Sequence, residues 1–373
     1  MPLTIGALTE TAPGEKRVAL VPEVASKFAA AGAKVIMERG AGANAQYPDT
    51  AYQNVEFLES AAAVLARADV LLKVQPPTMS EIAALRQSAV VVGFFQAHQR
   101  LDEVRSMRDR GITSFAMELV PRISRAQSMD ALSSQAAIAG YKAVLIGAMT
   151  LDKFFPMLTT AAGTIRPAQV LVIGAGVAGL QAIATARRLG AVVEAYDVRS
   201  ATRDQIKSLG AKFVDTGVSA EGAGGYAREL TADEKRKQQE VLDARIAAAD
   251  VVVTTAAIPG RTAPRIISAA VVARMKPGAV VVDIAAESGG NCELTRAGET
   301  VVHNGVRVVG PINLASDLAT HASEMYARNL LNFLKPAVDK GELKIDWNDE
   351  VFAQSALTHG GEVKHEATRK LLG

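Results

Sequence analysis

The sequence has 373 residues, of which 49% are hydrophobic and 21% charged, and this length predicts two domains because it exceeds what one ordinary core holds. The 41 Lys and Arg residues are balanced by 39 Asp and Glu residues, and no stretch concentrates positive charge, which argues against a nucleic-acid-binding protein. The only cysteine, Cys292, excludes an internal disulfide and is typical of a reducing compartment.

Short runs rich in Val and Ile, each followed by a turn and an amphipathic stretch, recur along the chain in the rhythm of βαβ units. The predicted strands, in chain order, are 33–38, 69–73, 170–173, 192–196, 251–254, 280–284 and 306–309. A long connecting helix is predicted over 124–149, and another helix over 316–334. The expected fold is α/β, with two Rossmann-like domains that contain parallel sheets and are linked by long helices.

This pattern predicts an N-terminal Rossmann-like domain of residues 1–130 plus 315–373, a connecting helix of residues 131–150, and a second Rossmann domain of residues 151–314. The N-terminus lacks the pattern of a signal peptide. The longest apolar runs fall short of the roughly 18 to 20 residues that span a bilayer. We therefore expect a cytoplasmic protein that does not itself cross a membrane.

One segment, 215–233, interrupts the rhythm because it is rich in glycine and has no apolar periodicity. A loop of this length in a compact domain often carries function. The sequence predicts either a lid over a ligand, with Tyr226 as its only aromatic residue, or a solvated surface excursion.

A nucleotide site is predicted where the strand 170–173 runs into Gly-Ala-Gly-Val-Ala-Gly and a helical stretch follows. Gly174 permits the tight turn, Gly176 lets the backbone approach a pyrophosphate, and Gly179 lets the helix pack close to the strand. The helix N-terminus then faces the phosphates.

The next strand ends at Asp197, where a carboxylate can accept hydrogen bonds from the adenosine ribose. An anion at this position repels a 2′-phosphate and therefore favours NAD(H) over NADP(H). Arg199, two residues further on, is a cation that leaves the alternative open.

Reduction of a ketone or imine by hydride needs a positioned proton donor, so histidines are the first candidates. The five histidines are His98, His303, His321, His359 and His365. We expect His303, in an apparent hairpin turn, and the two C-terminal histidines to be solvated, which leaves His98 and His321 as possible acids or bases. No metal site is predicted, because no ligand spacing is recognisable.

A row of polar residues marks the start of the predicted connecting helix. Gln127, Asp130 and Ser133 fall three apart and are therefore expected on one helical face. Such a row favours a ligand such as a nicotinamide carboxamide and its ribose, because buried polar groups need partners. The alternative is a solvent-facing helix start capped by Ser124 or Ser128.

The sequence resembles the NAD(H)-binding component, domain I, of proton-translocating nicotinamide nucleotide transhydrogenases along essentially its whole length. The stretches that carry the resemblance are 117–135, 174–180, 197–199, 224–227 and 254–260. The most specific is Arg-Ile-Ser-Arg-Ala-Gln-Ser-Met-Asp-Ala-Leu-Ser, which resembles the loop that holds the nicotinamide end of NAD(H) in that family.

The resemblance implies two sets of site residues. The nicotinamide set is Arg122, Gln127, Asp130 and Ser133, and Gln127 would help to bring the two nicotinamides together. The set for the rest of the nucleotide is Gly174, Gly176, Val177, Gly179, Asp197, Val198, Arg199, Gly225, Tyr226, Gln238 and Ala257. The segment around Tyr226 resembles the loop with which that family closes over bound nucleotide.

Alanine dehydrogenases share this fold, and the stretch 14–20 resembles their N-terminal motif too. Where those enzymes carry a catalytic lysine in Lys-Val-Lys-Glu-Pro, this chain has Gln75 in Lys-Val-Gln-Pro-Pro. Their catalytic histidine corresponds to Gln96, although an alignment shifted by two residues would place His98 there. Two amides suit direct hydride transfer between nicotinamides, which requires no general acid.

The resemblance also implies an Si-specific, proton-translocating enzyme that is active only with partners. These are a beta subunit whose domain binds NADP(H) and a separate membrane-spanning subunit, expected because the sequence stops at Gly373. A homodimer on the cytoplasmic face of the inner membrane is expected. The alternatives are an alanine dehydrogenase-like amino-acid oxidoreductase, a nucleotide-sensing module, and a structural protein with an unused Rossmann turn.

Overall fold

The computed structural model describes residues 2–218, 231–257 and 262–373. The chain divides into two compact units, one of Met1–Gln135 with Ala315–Gly373 and one of Ala136–Leu314. Each unit has its own buried apolar residues on both faces of its own sheet.

The first unit begins with alternating strands and helices, as the apolar runs predict. Its first strands are β1 (Thr4–Ala7), β2 (Lys34–Glu38), β3 (Val55–Leu58), β4 (Val70–Leu72), β5 (Val90–Gly93) and β6 (Thr113–Ala116). Its first helices are α1 (Pro22–Ala30), α2 (Ala61–Leu65), α3 (Met79–Ala84) and α4 (Leu101–Asp109). The strands predicted over 33–38 and 69–73 are confirmed as β2 and β4.

The segment after β6 differs from the continuous helix predicted over 124–149. Ser124–Met129 form a 3-10 helix, Asp130 leaves the helical region with ψ of 86°, and α5 then runs over Ala131–Thr150. The Asp130 carboxylate accepts hydrogen bonds from the Ser133 amide at 2.8 Å and the Ser133 hydroxyl at 2.6 Å. The prediction was wrong because this aspartate satisfies a first-turn amide and so starts a new helix.

The second unit repeats the alternation of strands and helices. Its strands are β7 (Leu158–Thr160), β8 (Gly163–Ile165), β9 (Gln169–Ile173), β10 (Val192–Tyr196), β11 (Lys212–Phe213), β12 (Val251–Thr254), β13 (Val280–Asp283), β14 (Thr300–His303) and β15 (Val306–Val309). Its helices are α6 (Val177–Arg188), α7 (Arg203–Ser208), α8 (Ala232–Ala248) and α9 (Ala269–Val272). All five strands predicted in this part of the sequence are confirmed.

The chain then returns to the first unit. The returning elements are α10 (Ala319–Leu334), β16 (Val338–Asp339), β17 (Glu342–Leu343), α11 (Glu350–Ser355), β18 (Ala356–His359), β19 (Glu362–Val363) and α12 (Glu366–Leu372). Helix α10 is the helix predicted over 316–334, and its side chains Tyr326, Leu330 and Phe333 are fully buried in the core.

Among the described residues, the sheet of the first unit has the strand order β3-β2-β1-β4-β5-β6-β18-β19. Strands β1 to β6 are parallel, and β18 and β19 extend the sheet with antiparallel pairings. The order 3-2-1-4-5-6 is that of doubly wound Rossmann folds, in which the carboxyl ends of the strands form the ligand-binding edge.

The sheet of the second unit has the order β11-β10-β9-β12-β13-β15-β14 within the described part of the chain. Its strands are parallel except β14, which pairs with β15 as an antiparallel hairpin. Asn304 and Gly305 form the turn with φ of 49° and 76°, as a two-residue hairpin of this type requires. Two Rossmann-like sheets therefore confirm the predicted fold class.

The helices in residues 2–218, 231–257 and 262–373 include none that is both long and apolar enough to span a membrane.

Candidate nucleotide and hydride-transfer sites

The glycine-rich turn lies at the carboxyl end of β9, where the strand order reverses because β9 pairs with β10 on one side and β12 on the other. Gly174 has a φ of 94°, a conformation that side chains rarely adopt. A Cβ atom at this position would lie 2.6 Å from Thr255 Oγ1 and 3.2 Å from the Ala256 amide. Only glycine fits this turn.

Gly176 and Gly179 differ in their surroundings. Nothing lies within 4 Å of a Cβ built on Gly176, so the backbone is open there, whereas a Cβ on Gly179 would lie 1.8 Å from the Gly174 carbonyl oxygen. Helix α6 begins after Gly176 without a side-chain cap. Its first-turn amides can therefore bind an anion, and this part of the chain fits a dinucleotide pyrophosphate.

Asp197 follows β10 directly and is 8% exposed. Its Oδ2 accepts from the Ala175 amide at 2.7 Å and Arg199 Nη2 at 3.0 Å, and its Oδ1 accepts from the Arg199 amide at 2.8 Å and Nε at 3.0 Å. Burial alone would raise the pKa of Asp197, but the hydrogen bonds from Arg199 and Ala175 outweigh it and lower the pKa. The carboxylate is ionised at neutral pH.

Arg199 occupies much of the acceptor capacity of Asp197. A carboxylate offers about four lone-pair sites, and the four donors fill them, so a ribose hydroxyl has to displace part of the Arg199 side chain. That side chain is 60% exposed and can leave without opening the core. A nucleotide bound at this strand end would therefore meet a cation beside the Asp197 carboxylate, and a cation there favours a 2′-phosphate.

Asn291 organises the neighbouring strand end and was missed by the sequence reasoning. Its Oδ1 accepts from the Thr254 hydroxyl and from the Ala256 amide at 3.0 Å, and its Nδ2 donates to the carbonyls of Ala256 at 2.7 Å and Pro264 at 2.9 Å. Its own amide donates to Asp283 Oδ2 at 2.7 Å. A single asparagine in Gly-Gly-Asn-Cys carries no motif that would have revealed this role.

The structure brings the glycine turn, Asp197 and the segment after β12 together at one sheet edge. The Gly174 amide donates to the Tyr196 carbonyl at 2.8 Å, and the Thr255 hydroxyl donates to the Gly174 carbonyl at 3.2 Å. Other predicted contact residues in this unit are exposed or half-buried: Val177, Val198, Ala257 and Gln238. Gly225 and Tyr226 lie outside the described residues.

In the first unit, Gln127 lies in the 3-10 helix and Ser133 in the first turn of α5. The chain turns at Asp130 between them, so the expectation that Gln127, Asp130 and Ser133 share one helical face was wrong. Asp130 and Ser133 are hydrogen-bonded to each other. The side chains of Arg122 and Gln127 are exposed and have no polar partner among the described residues, which leaves them available to a ligand.

A buried ionic network lies in the same unit. Arg17 donates through Nε to Glu15 Oε1 at 2.7 Å and through Nη2 to Glu15 Oε2 at 2.6 Å, and its Nη1 donates to Gln135 Oε1 at 2.9 Å. Gln75 donates to Glu15 Oε2 at 2.7 Å. Burial would raise the pKa of Glu15, but these donors lower it to about 2. Gln75 therefore acts as a neutral donor to this buried carboxylate.

A second ionic group is centred on Lys73, which is 1% exposed. Its Nζ lies 3.1 Å from Glu10 Oε2 and 3.1 Å from Glu81 Oε1. Burial alone would lower the pKa of Lys73, but the two carboxylates raise it. Lys73 is thus a charged structural group, because moving a proton from it would leave buried carboxylates without their counter-ion.

The histidines do not provide an evident catalytic acid. His98 and His321 are exposed. His303, His359 and His365, which were expected to be solvated, are instead half-buried. His359, in β18, lies within 3.0 Å of Thr113 Oγ1 and has its ring centroid 4.0 Å from that of Trp347, and His365 Nδ1 lies 2.8 Å from Thr368 Oγ1. Pairing of β18 with β6, which the polar sequence around His359 did not reveal, places this residue beside Thr113. Among the described residues, no group of three or more His, Cys, Asp or Glu side chains could hold a metal ion.

Comparison with known families matches both domains of the chain. The model of the alanine dehydrogenase/PNT N-terminal domain matches residues 6–139, and that of the alanine dehydrogenase/PNT C-terminal domain matches residues 143–366.

Individual relatives are of two kinds. An NAD(P) transhydrogenase alpha subunit of Rhodospirillum rubrum is 47% identical over 371 residues, which cover 96% of this chain and 97% of that protein. Alanine dehydrogenase of Mycobacterium tuberculosis is 32% identical over 302 residues, which cover 79% of this chain and 75% of that protein.

Two of the solved structures that match show the same likenesses. The crystal structure of a transhydrogenase from Sinorhizobium meliloti matches with a TM-score of 0.88 and 45% identity over 96% of this chain and 99% of that one. An L-alanine dehydrogenase matches with a TM-score of 0.81 and 22% identity over 99% of each chain, a likeness of fold alone.

Proposed function

The chain belongs to the alanine dehydrogenase/PNT family and is homologous to transhydrogenase alpha subunits, and we propose from this premise that it is an NAD(H)-binding transhydrogenase subunit that passes hydride directly between NADH and NADP⁺. The observation that carries the proposal is the 47% identity to a transhydrogenase alpha subunit across both domains, against 32% to an alanine dehydrogenase. The reaction is of the Si-specific, proton-translocating type.

The polar groups of the first unit support direct transfer over dehydrogenase chemistry. Hydride reduction of an imine needs a positioned acid, whereas exchange of hydride between two nicotinamides changes no heteroatom's protonation. Gln75 carries an amide, which cannot serve as the general acid that this reduction needs. Its NH₂ group donates a hydrogen bond to Glu15. Gln96 is exposed, and its backbone amide donates to Glu118 Oε1 at 2.7 Å.

The second unit would hold the adenosine and pyrophosphate of NAD(H). The backbone amides between Gly174 and Gly179 would bind the pyrophosphate. The Asp197 carboxylate would accept a hydrogen bond from a ribose hydroxyl that replaces one of the hydrogen bonds from Arg199. Further contacts are proposed for Val177, Val198, Arg199, Gly225, Tyr226, Gln238 and Ala257.

The residues proposed for the nicotinamide are Arg122, Gln127, Asp130 and Ser133. Arg122 and Gln127 have free polar groups for the carboxamide and ribose, and the Asp130 carboxylate holds the Ser133 hydroxyl in place. Bound NADH supplies a hydride from C4 of its ring to C4 of NADP⁺. The protein's contribution is then chiefly orientation, with the reacting atoms at roughly 3 to 3.5 Å.

The partners proposed for the chain follow from the resemblance. A beta subunit would supply the NADP(H)-binding domain, and a separate membrane-spanning subunit would couple transfer to proton movement. The chain would act as a homodimer, held at the cytoplasmic face of the inner membrane through these partners.

Mixing the purified chain with the NADP(H)-binding component of a related transhydrogenase tests the proposal. With NADH and a thionicotinamide analogue of NADP⁺, analogue reduction should require both proteins. The chain alone should not reduce NAD⁺ with L-alanine. Alanine oxidation by the chain alone, or no transfer from a chain that binds NADH, would overturn the proposal.

Substitution of Gln127 separates binding from transfer. Gln127→Asn shortens the side chain by one methylene, so we expect hydride transfer to fall while NADH affinity largely persists. Rapid-mixing kinetics and NADH fluorescence titration measure the two quantities. Equal losses in both would make Gln127 a simple binding residue.

A further inference from the structure

The amide of Asn329, on α10, joins the two segments that flank Asp130. Its Nδ2 donates to the Ser128 carbonyl at 2.9 Å, in the 3-10 helix that carries Gln127. Its Oδ1 accepts from the Ser134 hydroxyl at 2.7 Å, in the first turn of α5 next to Ser133. One side chain from a residue almost two hundred positions away in the sequence therefore holds both segments.

Both polar atoms of the Asn329 amide make hydrogen bonds. Asn329 is 7% exposed, and a buried amide without partners is costly. The opposite orientation of the amide would turn its oxygen toward the Ser128 carbonyl oxygen and place two acceptors against each other, so the orientation is determined by this partner. The two hydrogen bonds of this side chain therefore link the 3-10 helix to the first turn of α5.

The contact continues into the buried ionic network of Glu15 and Arg17. Gln135 Nε2 donates to the Ser134 hydroxyl at 3.2 Å and to the Ala322 carbonyl at 3.1 Å, while its Oε1 accepts from Arg17 at 2.9 Å. The Asn329 bridge is thus connected through neutral and charged hydrogen bonds to the rigid core of the first unit.

We propose that Asn329 is a positioning residue for hydride transfer, which acts by holding Gln127 and Ser133 in the arrangement that orients the nicotinamide. This inference rests on the transhydrogenase function proposed above. Asn329 touches no substrate in this role. A reaction without acid–base catalysis depends on orientation, and a displacement of about 1 Å can reduce such a rate by as much as about a hundredfold.

The principal variant is Asn329→Asp, which has nearly the same shape, keeps the acceptor for Ser134 and loses the donor to Ser128. Asn332→Ala is the local control, because Asn332 also donates to the Ser128 carbonyl, at 3.2 Å, from an exposed position. Ser114→Ala is the stability control, because it removes a buried hydroxyl contact, 2.7 Å from Thr358 Oγ1, elsewhere in the same unit.

Transfer is measured with saturating NADH and the NADP(H)-binding component of a related transhydrogenase. We expect Asn329→Asp to lower the transfer rate by about tenfold or more, with an NADH dissociation constant within about threefold of the unsubstituted chain. Both controls should retain transfer. An Asn329→Asp variant that transfers like the unsubstituted chain overturns the inference, and so does a loss of transfer that Ser114→Ala also shows at the same loss of thermal stability.

Amide hydrogen exchange distinguishes a failure of the proposed transhydrogenase function from a failure of the positioning role proposed for Asn329. Exchange over residues 126–134 should accelerate in Asn329→Asp and not in Asn332→Ala, whether or not any hydride is transferred. If the unsubstituted chain binds NADH and transfers none, the proposed function fails. If it transfers and exchange is the same in both variants, Asn329 has no positioning role.

Discussion

The two candidate regions differ in what defines them. The nucleotide turn of the second unit depends on the absence of side chains: Gly174 and Gly179 leave no space for a Cβ, and Gly176 leaves the backbone open. The 124–134 segment of the first unit depends on side chains that come from distant parts of the chain: Asn329 contacts the segment itself, and Arg17 contacts the adjoining Gln135.

This difference explains why the two regions tolerate substitution differently. In a turn of closely packed backbone, almost any added side-chain atom causes a steric clash, and the effect of that clash is local. A segment held by a connected network of buried polar groups is damaged when one partner is removed, because the remaining groups lose their counter-charge or hydrogen-bond partner. Substitutions in each region test this contrast.

The largest effect should follow from breaking the ionic network. Glu15→Gln removes the carboxylate that accepts two hydrogen bonds from the buried Arg17 guanidinium, and we expect the free energy of unfolding at neutral pH to fall by about 3 kcal/mol or more. The pKa of Glu15 is lowered from 4.5 to about 2, so its contribution is complete above pH 4.5 and is lost as the pH falls toward 2. Denaturant unfolding between pH 7 and pH 3 should show the two proteins converging as the pH falls.

Glu23→Gln is the matched control for this pH experiment. The pKa of Glu23 is also lowered to about 2, first by its hydrogen bond from Lys27 and then by that from Arg328, but its side chain is largely exposed. Solvent screens such pairs, so this variant should change stability little at any pH. Equal effects of the two substitutions would contradict the distinction between the buried network and a surface ion pair.

Two glycine variants separate folding from binding in the nucleotide turn. In Gly179→Ala the added Cβ meets the Gly174 carbonyl oxygen at 1.8 Å, and we expect unfolding free energy to fall by about 1–3 kcal/mol and NADH binding to be lost. Gly176→Ala adds its Cβ to open space, so stability should change by less than about 0.5 kcal/mol while NADH binding weakens. Full NADH affinity in Gly176→Ala would contradict the close approach of a pyrophosphate.

A smaller effect is expected at Asp197. Asp197→Ala removes the ribose acceptor and should weaken NADH binding by about 1–3 kcal/mol and narrow the preference over NADPH. Fluorescence titration with both nucleotides measures this, and Asp215→Ala, a surface aspartate paired with Arg203, serves as the control. Unchanged affinity for both nucleotides would refute the ribose role.

The sequence predicted the regions of the molecule that depend on local patterns. The apolar runs, the glycine motif and the Asn304-Gly305 hairpin are short-range signals, and each element lies where the pattern indicated. The break at Asp130 was missed because the apolar residues keep a helical spacing on both sides of it. The end of the 3-10 helix and the start of α5 are visible only in the backbone angles of Asp130 and in its hydrogen bond from the Ser133 amide.

The long-range contacts could not have been predicted from one sequence. Asn291 and Asn329 stand in stretches with no recognisable motif, and their roles arise from partners that the fold brings close. The same holds for His359, whose burial follows from pairing of β18 with β6. The nucleotide turn was thus predictable from its residues, whereas the supports of the 124–134 segment were not.

The central claim, direct passage of hydride between two nicotinamides, is tested most directly with NADH that carries deuterium at the transferred C4 position. The chain and its NADP(H)-binding partner are incubated with this NADH and NADP⁺ in ordinary water, and the NADPH is analysed by mass spectrometry. The account predicts one deuterium in each NADPH formed, with none lost to water. NADPH that has a hydrogen from water in place of this deuterium, and therefore lacks deuterium at C4, would contradict the account.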